Sequence, residues 1–250
     1  AINEVRVMAI KIKNTPSPDV LMNSMRSIGY NFRTAIADII DNSISAKAKN
    51  IYISSPINDE KIFITILDDG EGMDDSELFN AMKYGSNKEY YDTNDLGRFG
   101  LGLKSASLSQ CRILTVASKK ENVIVAYQWD LDSVIQNREW DCLKLENHEI
   151  NNIPNIEHLR KLTQGTLVVW ENFDIGYKKS GGRIRDYLCD EIDDAESHIR
   201  LVFHRFLSNS FKPLKIYINQ VLLTPIDPFL EYHSKTAVSY THLRAHETTL

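Results

Sequence analysis

The sequence predicts an α+β fold, a two-layer sandwich in which one mixed sheet is covered by helices on one face. Three observations predict it. An apolar stripe at helical spacing (Phe32, Ile36, Ile39, Ile40) precedes two short β-rich runs. A glycine-punctuated run, Gly97–Gly102, opens a second helix rich in small residues. Three more runs of strand character follow that helix.

Taken in order, residues 1–18 alternate weakly and end in a Pro16–Pro18 turn, after which helical spacing begins. On the helix carrying the apolar stripe, Thr34, Asp38, Asp41, Asn42 and Ser45 share the opposite face. Ile51–Ser55 and Lys61–Leu67 read as strands joined by the turn Pro56-Ile57-Asn58-Asp59. Asp75–Lys83 reads as a short helix with acidic residues in its first turn. Gly85–Asp95 is polar and loop-like, and Leu103–Ser109 is the small-residue helix. Strands are expected at Arg112–Ser118, Val123–Asp130 and Thr166–Asn172. Lys178–Gly182 reads as a linker, followed by a helical pattern to about Leu207 and a strand at Lys215–Leu222. These features divide the chain into residues 1–180, a segment 181–237, and a tail 238–250 whose composition reads as non-native, similar to translated adapter sequence.

The bulk numbers narrow the classes. Of 250 residues, 42% are hydrophobic, enough for a folded core. A net charge of −5 gives no global signal for nucleic acid or an anionic membrane. Cys111, Cys142 and Cys189 form no CxxC pair, which argues against a disulfide framework or a zinc site. No apolar run approaches the ~20 residues of a membrane helix, and no signal-peptide core opens the chain. The expectation is a cytoplasmic protein without a membrane partner, its start at Ala1 reading as a processed or partial frame.

Four short motifs carry chemistry. Asp68-Asp69-Gly70-Glu71-Gly72-Met73 follows a strand directly. A carboxylate there can accept the exocyclic amine of a purine, Gly70 and Gly72 let the backbone turn close to a ligand, and Met73 can pack on the base. Gly97-Arg98-Phe99-Gly100-Leu101-Gly102-Leu103-Lys104 opens a helix, where amide groups and the helix dipole favour an anion. Lys104 in the first turn is within reach of a terminal phosphate. A dinucleotide-binding loop would need a preceding strand, and a long polar loop stands there instead. Asp38 and Asn42, at i and i+4, present a water-orienting carboxylate and a Mg²⁺-ligating amide on one helix face. Gly165-Thr166 heads a strand, and the Thr166 hydroxyl can share a water with the base-binding aspartate.

In this order the motifs resemble the N box, the two glycine boxes and the terminal Gly-Thr of the Bergerat-fold (GHKL) ATPases, the superfamily of gyrase B, heat-shock chaperone, histidine kinase and MutL. The resemblance covers roughly residues 20–175. The run Gly97–Ser105 and Tyr84-Gly85-Ser86 look most like MORC-type and related bacterial ATPases. The resemblance implies ATP and Mg²⁺ as ligands, with Asp38 and Lys104 as catalytic residues and Asn42 on the metal. The nucleotide contacts implied are Asn42, Asp68, Gly70, Gly72, Met73, Gly97, Phe99, Gly100, Leu101, Gly102, Leu103, Lys104 and Thr166. It also implies a mobile lid at about Gly85–Leu96, nucleotide-dependent homodimerisation, and a DNA or protein partner in DNA-related or defence processes.

Two departures stand out. Most hydrolysing relatives carry Glu at the first N-box position, whereas Asp38 is one methylene shorter, roughly 1.5 Å; slow hydrolysis is expected. Residues 181–237 resemble only the beginning of the second domain that supplies a γ-phosphate cation in those relatives. Two other readings remain open on the sequence: a sensor histidine kinase, and a non-hydrolysing nucleotide-binding interaction module. The former needs an acceptor histidine on a helical hairpin, and no histidine precedes His148.

Overall fold

The computed structural model describes residues 16–27, 30–56, 62–84, 102–174, 183–209 and 211–230. Its helices are α1 (Pro18–Arg26), α2 (Phe32–Ser45), α3 (Asp75–Met82), α4 (Gly102–Gln110), α5 (Leu131–Asn137), α6 (Asn147–Ile150), α7 (Ile156–Lys161), α8 (Ile184–Val202) and α9 (His204–Leu207). The strands are β1 (Asn50–Ser54), β2 (Phe63–Asp68), β3 (Ile113–Lys120), β4 (Val123–Asp130), β5 (Leu143–Lys144), β6 (Gly165–Glu171), β7 (Lys215–Ile218) and β8 (Val221–Leu222).

The strands form one sheet in the order β5-β4-β3-β6-β2-β1-β7-β8. The β1–β7 pair is parallel, while β2 and β3 flank β6 antiparallel. Strand alternation sends Ile64, Ile66, Val116, Val168 and Trp170 to one face, where they pack with Ile36, Ile39 and Ile40 of α2. Trp170, at the sheet centre, meets Phe32 edge-on at 5.9 Å between centroids and ties the start of α2 to the sheet. The opposite strand positions, Leu67, Ala117, Leu167 and Val169, pack with Ile150, Ile153, Ile156 and Leu159 around α6 and α7. The predicted α+β layering is therefore present, with a small helical cover added on the second face.

Local chemistry explains the element ends. Asn31 caps α2 by accepting the Thr34 N–H at 2.9 Å. A capping box, Asp74 with Glu77, starts α3. Asp130 accepts the N–H groups of Asp132 and Ser133 and starts α5 directly at the end of β4. The helix α4 is buried along almost its whole length, from Lys104 to Gln110, which small side chains such as Ala106 and Ser107 permit.

The described residues after 183 pack on the same sheet and helices. Leu188, Ile192, Ala195 and Ile199 form the buried stripe of α8, which packs on α2. Strand β7 then pairs with β1 in the register Ile51↔Ile216 and Ile53↔Ile218. The physical reason is β1 itself: Ile51 and Ile53 are buried and their outer backbone edge needs a partner. Residues 184–222 thus complete the same sheet and core. The single strand expected at Lys215–Leu222 is a hairpin, turned at Asn219 and Gln220, both at positive φ. The tail 238–250 lies outside the described residues.

Candidate functional site

The end of β2 places Asp68 on the α2 side of the sheet, 6% exposed. Its Oδ1 accepts the Gly70 N–H at 2.8 Å, and its Oδ2 accepts the Ser43 hydroxyl of α2 at 3.0 Å. Burial pushes its carboxyl up to about 6, against the pull of those donors. Directly across the ladder from Asp68 is Thr166 of β6. The Thr166 hydroxyl lies 3.1 Å from Ser118 Oγ of β3, and Ser118 Oγ accepts the Met73 N–H at 2.8 Å. Asp68 and Met73 of the first motif are thereby brought to Thr166 of the fourth, Asp68 by ladder pairing and Met73 through Ser118, while Ser43 ties Asp68 to α2. Asp69 has a different duty: its carboxylate accepts the N–H groups of Lys49 and Asn50 at 2.7 and 2.8 Å and ties the motif to the approach to β1.

The glycines are required by close packing. Gly72 stands at φ +66, and a Cβ there would lie 2.1 Å from the Lys119 carbonyl oxygen. Gly165, at φ +151, would put a Cβ 2.1 Å from the Asp68 carbonyl oxygen. The first motif and the terminal Gly-Thr therefore hold one another in place. Gly72→Ala is expected to cost about 3 kcal/mol through backbone clash and left-handed strain, lowering Tm by roughly 6–12 °C in a thermal melt. An unchanged Tm would show that this approach is not needed for folding.

On α2, Asp38 is half-buried and Asn42 is exposed one turn along. Burial raises the Asp38 carboxyl above the usual range, opposed by a hydrogen bond from the Tyr30 hydroxyl. Burial, with the nearby Asp38 charge, also raises Asp41. Gly102, the first residue of α4, adjoins this face: a Cβ there would lie 3.8 Å from Asp38 Oδ2. The helix face, the Asp68 cluster and the start of α4 thus converge through α2, which supplies Asp38, Asn42 and Ser43 within two turns.

Lys104 lies differently from the sequence expectation. It is 1% exposed, with Nζ donating to the Ala81 carbonyl at 2.5 Å near the end of α3 and 5.8 Å from the Tyr84 ring centroid. Burial pushes its ammonium down to about 8. Leu103 packs half-buried against the core. Gly97, Phe99, Gly100 and Leu101, and the lid expected at Gly85–Leu96, lie outside the described residues.

Sequence reasoning missed roles for Ser43 and Ser118. Ser118 carried a signal, being polar in phase with the inward Leu114 and Val116 of β3. Ser43 carried none beyond being the last residue of the N box, Ala37–Ser43. Among the described residues, no three His, Cys, Asp or Glu side chains group as a metal site. No described helix is long and apolar enough to cross a membrane.

Residues 30–166 match the family model described as histidine kinase-, DNA gyrase B- and HSP90-like ATPase. The chain is similar to ATPase morc-1 of Caenorhabditis elegans, 35% identical over 94 residues, covering 37% of this chain and 11% of that protein. It is similar to ATPase MORC2B of Mus musculus, 33% identical over 94 residues, 36% of this chain and 9% of the relative. ATPase MORC2 of Homo sapiens is 31% identical over 94 residues, again 36% of this chain and 9% of the relative. The aligned stretch thus spans about a tenth of each relative's length.

Proposed function

Because the chain belongs to the family of histidine kinase-, DNA gyrase B- and HSP90-like ATPases, we propose that it binds Mg-ATP with adenine on Asp68 and hydrolyses it slowly through Asp38. One observation carries this reading: the buried Asp68 is bonded to Ser43, on the same helix that presents Asp38 and Asn42. The Asp68 carboxylate retains lone pairs after accepting from Gly70 and Ser43, and a purine 6-amino group is a donor that matches them. Ser118 and Thr166 supply hydroxyls for a water on the same base edge.

The donor set also fits Mg²⁺. The Asn42 amide oxygen is a hard ligand one turn from the Asp38 carboxylate and next in the chain to Asp41, and would hold the ion together with nucleotide phosphates. When bound, Mg²⁺ neutralises charge on the β- and γ-phosphates. Asp38 would orient a water so that its oxygen attacks the γ-phosphorus and would take the proton released, while the bond from the γ-phosphorus to the β,γ-bridging oxygen breaks and ADP leaves with that oxygen. Gly102 leaves space beside Asp38 for the phosphates, and the glycine run ahead of it would contribute backbone N–H donors.

Lys104 enters this scheme after leaving the Ala81 carbonyl. Its ammonium is disfavoured where it is buried, so a phosphate is a better partner than the site it occupies. Lys104→Met preserves most of the volume and removes the charge. Affinity for a non-hydrolysable ATP analogue is expected to fall about tenfold, with little change in the apo melting temperature. Unchanged affinity by calorimetry would leave Lys104 a packing residue only.

Lid closure by residues 85–96, nucleotide-dependent homodimerisation and action on a DNA or protein partner belong to the same proposal, by resemblance to the family. The deciding experiment is a thermal-shift series with the analogue and Mg²⁺. Stabilisation that grows with analogue concentration is expected. No shift at saturating analogue would overturn the reading.

A further inference from the structure

We propose that Ser118 is a positioning residue for the nucleobase, its hydroxyl setting Thr166 as the donor that reads N1 of adenine, an inference that rests on the reading of Asp68 as acceptor of the 6-amino group. The placement follows from the strand registers. Asp68, Thr166 and Ser118 are direct ladder neighbours on β2, β6 and β3, so their side chains form one row across the sheet. The next rows on the same face are apolar throughout: Ile66, Val168 and Val116, then Ile64, Trp170 and Leu114. The polar row closes the core at the end where Asp68 accepts from Ser43. Ser118 is fully buried, and a hydroxyl in that position is held by its hydrogen bonds.

Ser118 Oγ has three partners and one proton. It accepts the Met73 N–H at 2.8 Å, which occupies one lone pair. The Gly165 carbonyl oxygen and Thr166 Oγ1 both lie at 3.1 Å, and the single proton can serve only one of them. Given to Gly165, it leaves Ser118 to draw the Thr166 proton, and Thr166 then shows only lone pairs to a ligand. Given to Thr166, it turns the Thr166 proton away from β3, toward the side of Asp68. The row then offers an acceptor, Asp68, beside a donor, Thr166. Adenine presents the complement, a 6-amino donor beside the N1 acceptor, whereas guanine presents O6 and N1–H in the reverse sense. Adenine therefore selects the second arrangement, in which each hydroxyl polarises the next. A water between Thr166 and N1 leaves that polarity unchanged.

The backbone beside Ser118 is clamped. Gly72 approaches the Lys119 carbonyl oxygen so closely that a Cβ would lie 2.1 Å from it. The Lys119 ammonium donates to the carbonyls of Arg160 and Leu162, at the end of α7, at 2.8 and 2.6 Å. Ser118 Oγ is thus fixed between the first motif and the second face of the sheet. The methionine of the first motif and the threonine of the fourth depend on that one hydroxyl.

The test measures binding, by calorimetry with Mg²⁺, of the non-hydrolysable ATP analogue and of its 1-deaza counterpart, in which C–H replaces N1 and the 6-amino group is kept. The parent is expected to prefer the ATP analogue by about tenfold. Ser118→Ala frees the Thr166 hydroxyl to turn, and that preference is expected to shrink by about threefold or more. Thr166→Val should abolish the preference, and adding Ser118→Ala to it should change the ratio no further. If Ser118→Ala does not fold, Ser118→Cys, whose thiol fills the space but donates weakly, gives the same comparison. A loss shared equally by both analogues, with the ratio unchanged, is what packing alone gives and would overturn the inference. So would a parent that binds the two equally. A parent that binds neither would instead overturn the adenine reading on which the inference rests.

Discussion

Asp68→Asn is expected to weaken binding of ATP by at least about 100-fold while leaving the unliganded protein as stable as the parent, or more so, at neutral pH. The two effects come from one buried carboxylate. Folding raises the Asp68 carboxyl from 3.8 to about 6, because burial outweighs the Gly70 and Ser43 donors. Below the unfolded value both states are protonated and nothing is lost. As pH rises from 3.8 towards 6, the unfolded chain releases its proton first, so stability falls. Above 6 the full penalty persists, on the order of 3 kcal/mol. The asparagine variant should lose that dependence. Its amide can still accept from Gly70, and Ser43, whose single hydroxyl proton can turn to the Ile39 carbonyl at 3.2 Å, can accept from the new NH₂ group. What the amide cannot do is keep those bonds and also accept a purine amine. A donor then faces a donor. Calorimetry with the analogue across about pH 5 to 8 checks both parts. Parent affinity should weaken as pH drops through about 6, since protonation removes the acceptor, while the variant should be weak and flat. A variant that binds like the parent would remove Asp68 from the adenine site.

Much of this site can be read from the chain because its motifs are local. Helix spacing alone puts Asp38 and Asn42 on one face of α2, and a strand that ends in Asp68 can only aim that residue at one layer or the other. The same locality explains the omissions. Helices α5, α6 and α7 are too short for an apolar period to declare itself, and they are held by caps such as Asp130 and the Glu146–Glu149 pair. The pairing of β7 with β1 joins residues far apart in sequence, and a stretch of lysines and glycines between them reads as a linker whichever sheet follows. Lys104 shows the limit most plainly. Its position at the start of α4 points to phosphate, but α4 is wedged between α1 and α2, and the side chain found the Ala81 carbonyl instead. Serines are common, so nothing singled out Ser43, and the inward phase of Ser118 on β3 gained its meaning only with the strands paired.

Asp38→Asn is expected to lower kcat by roughly 10²–10⁴-fold and to leave the stabilisation by the ATP analogue unchanged. The amide keeps the shape of the side chain, so the fold and the nucleotide site should survive. It cannot take a proton from water. The pH profile of the parent carries an independent check. Burial raises the Asp38 carboxyl above its ordinary value, and the base works only when ionised. Turnover should therefore fall as pH drops through that raised value and should do so with no matching loss of stability, since protonation relieves the burial penalty. Asp38→Glu supplies the opposite test. It adds roughly 1.5 Å of reach on a face where Gly102 leaves room, the built Cβ lying 3.8 Å from the carboxylate oxygen. If reach limits hydrolysis, the glutamate variant should turn over several-fold faster than the parent at saturating ATP. Equal or lower kcat would mean that the shorter acid is already at its working distance. In that case the slow step would lie in the closing and opening of the site.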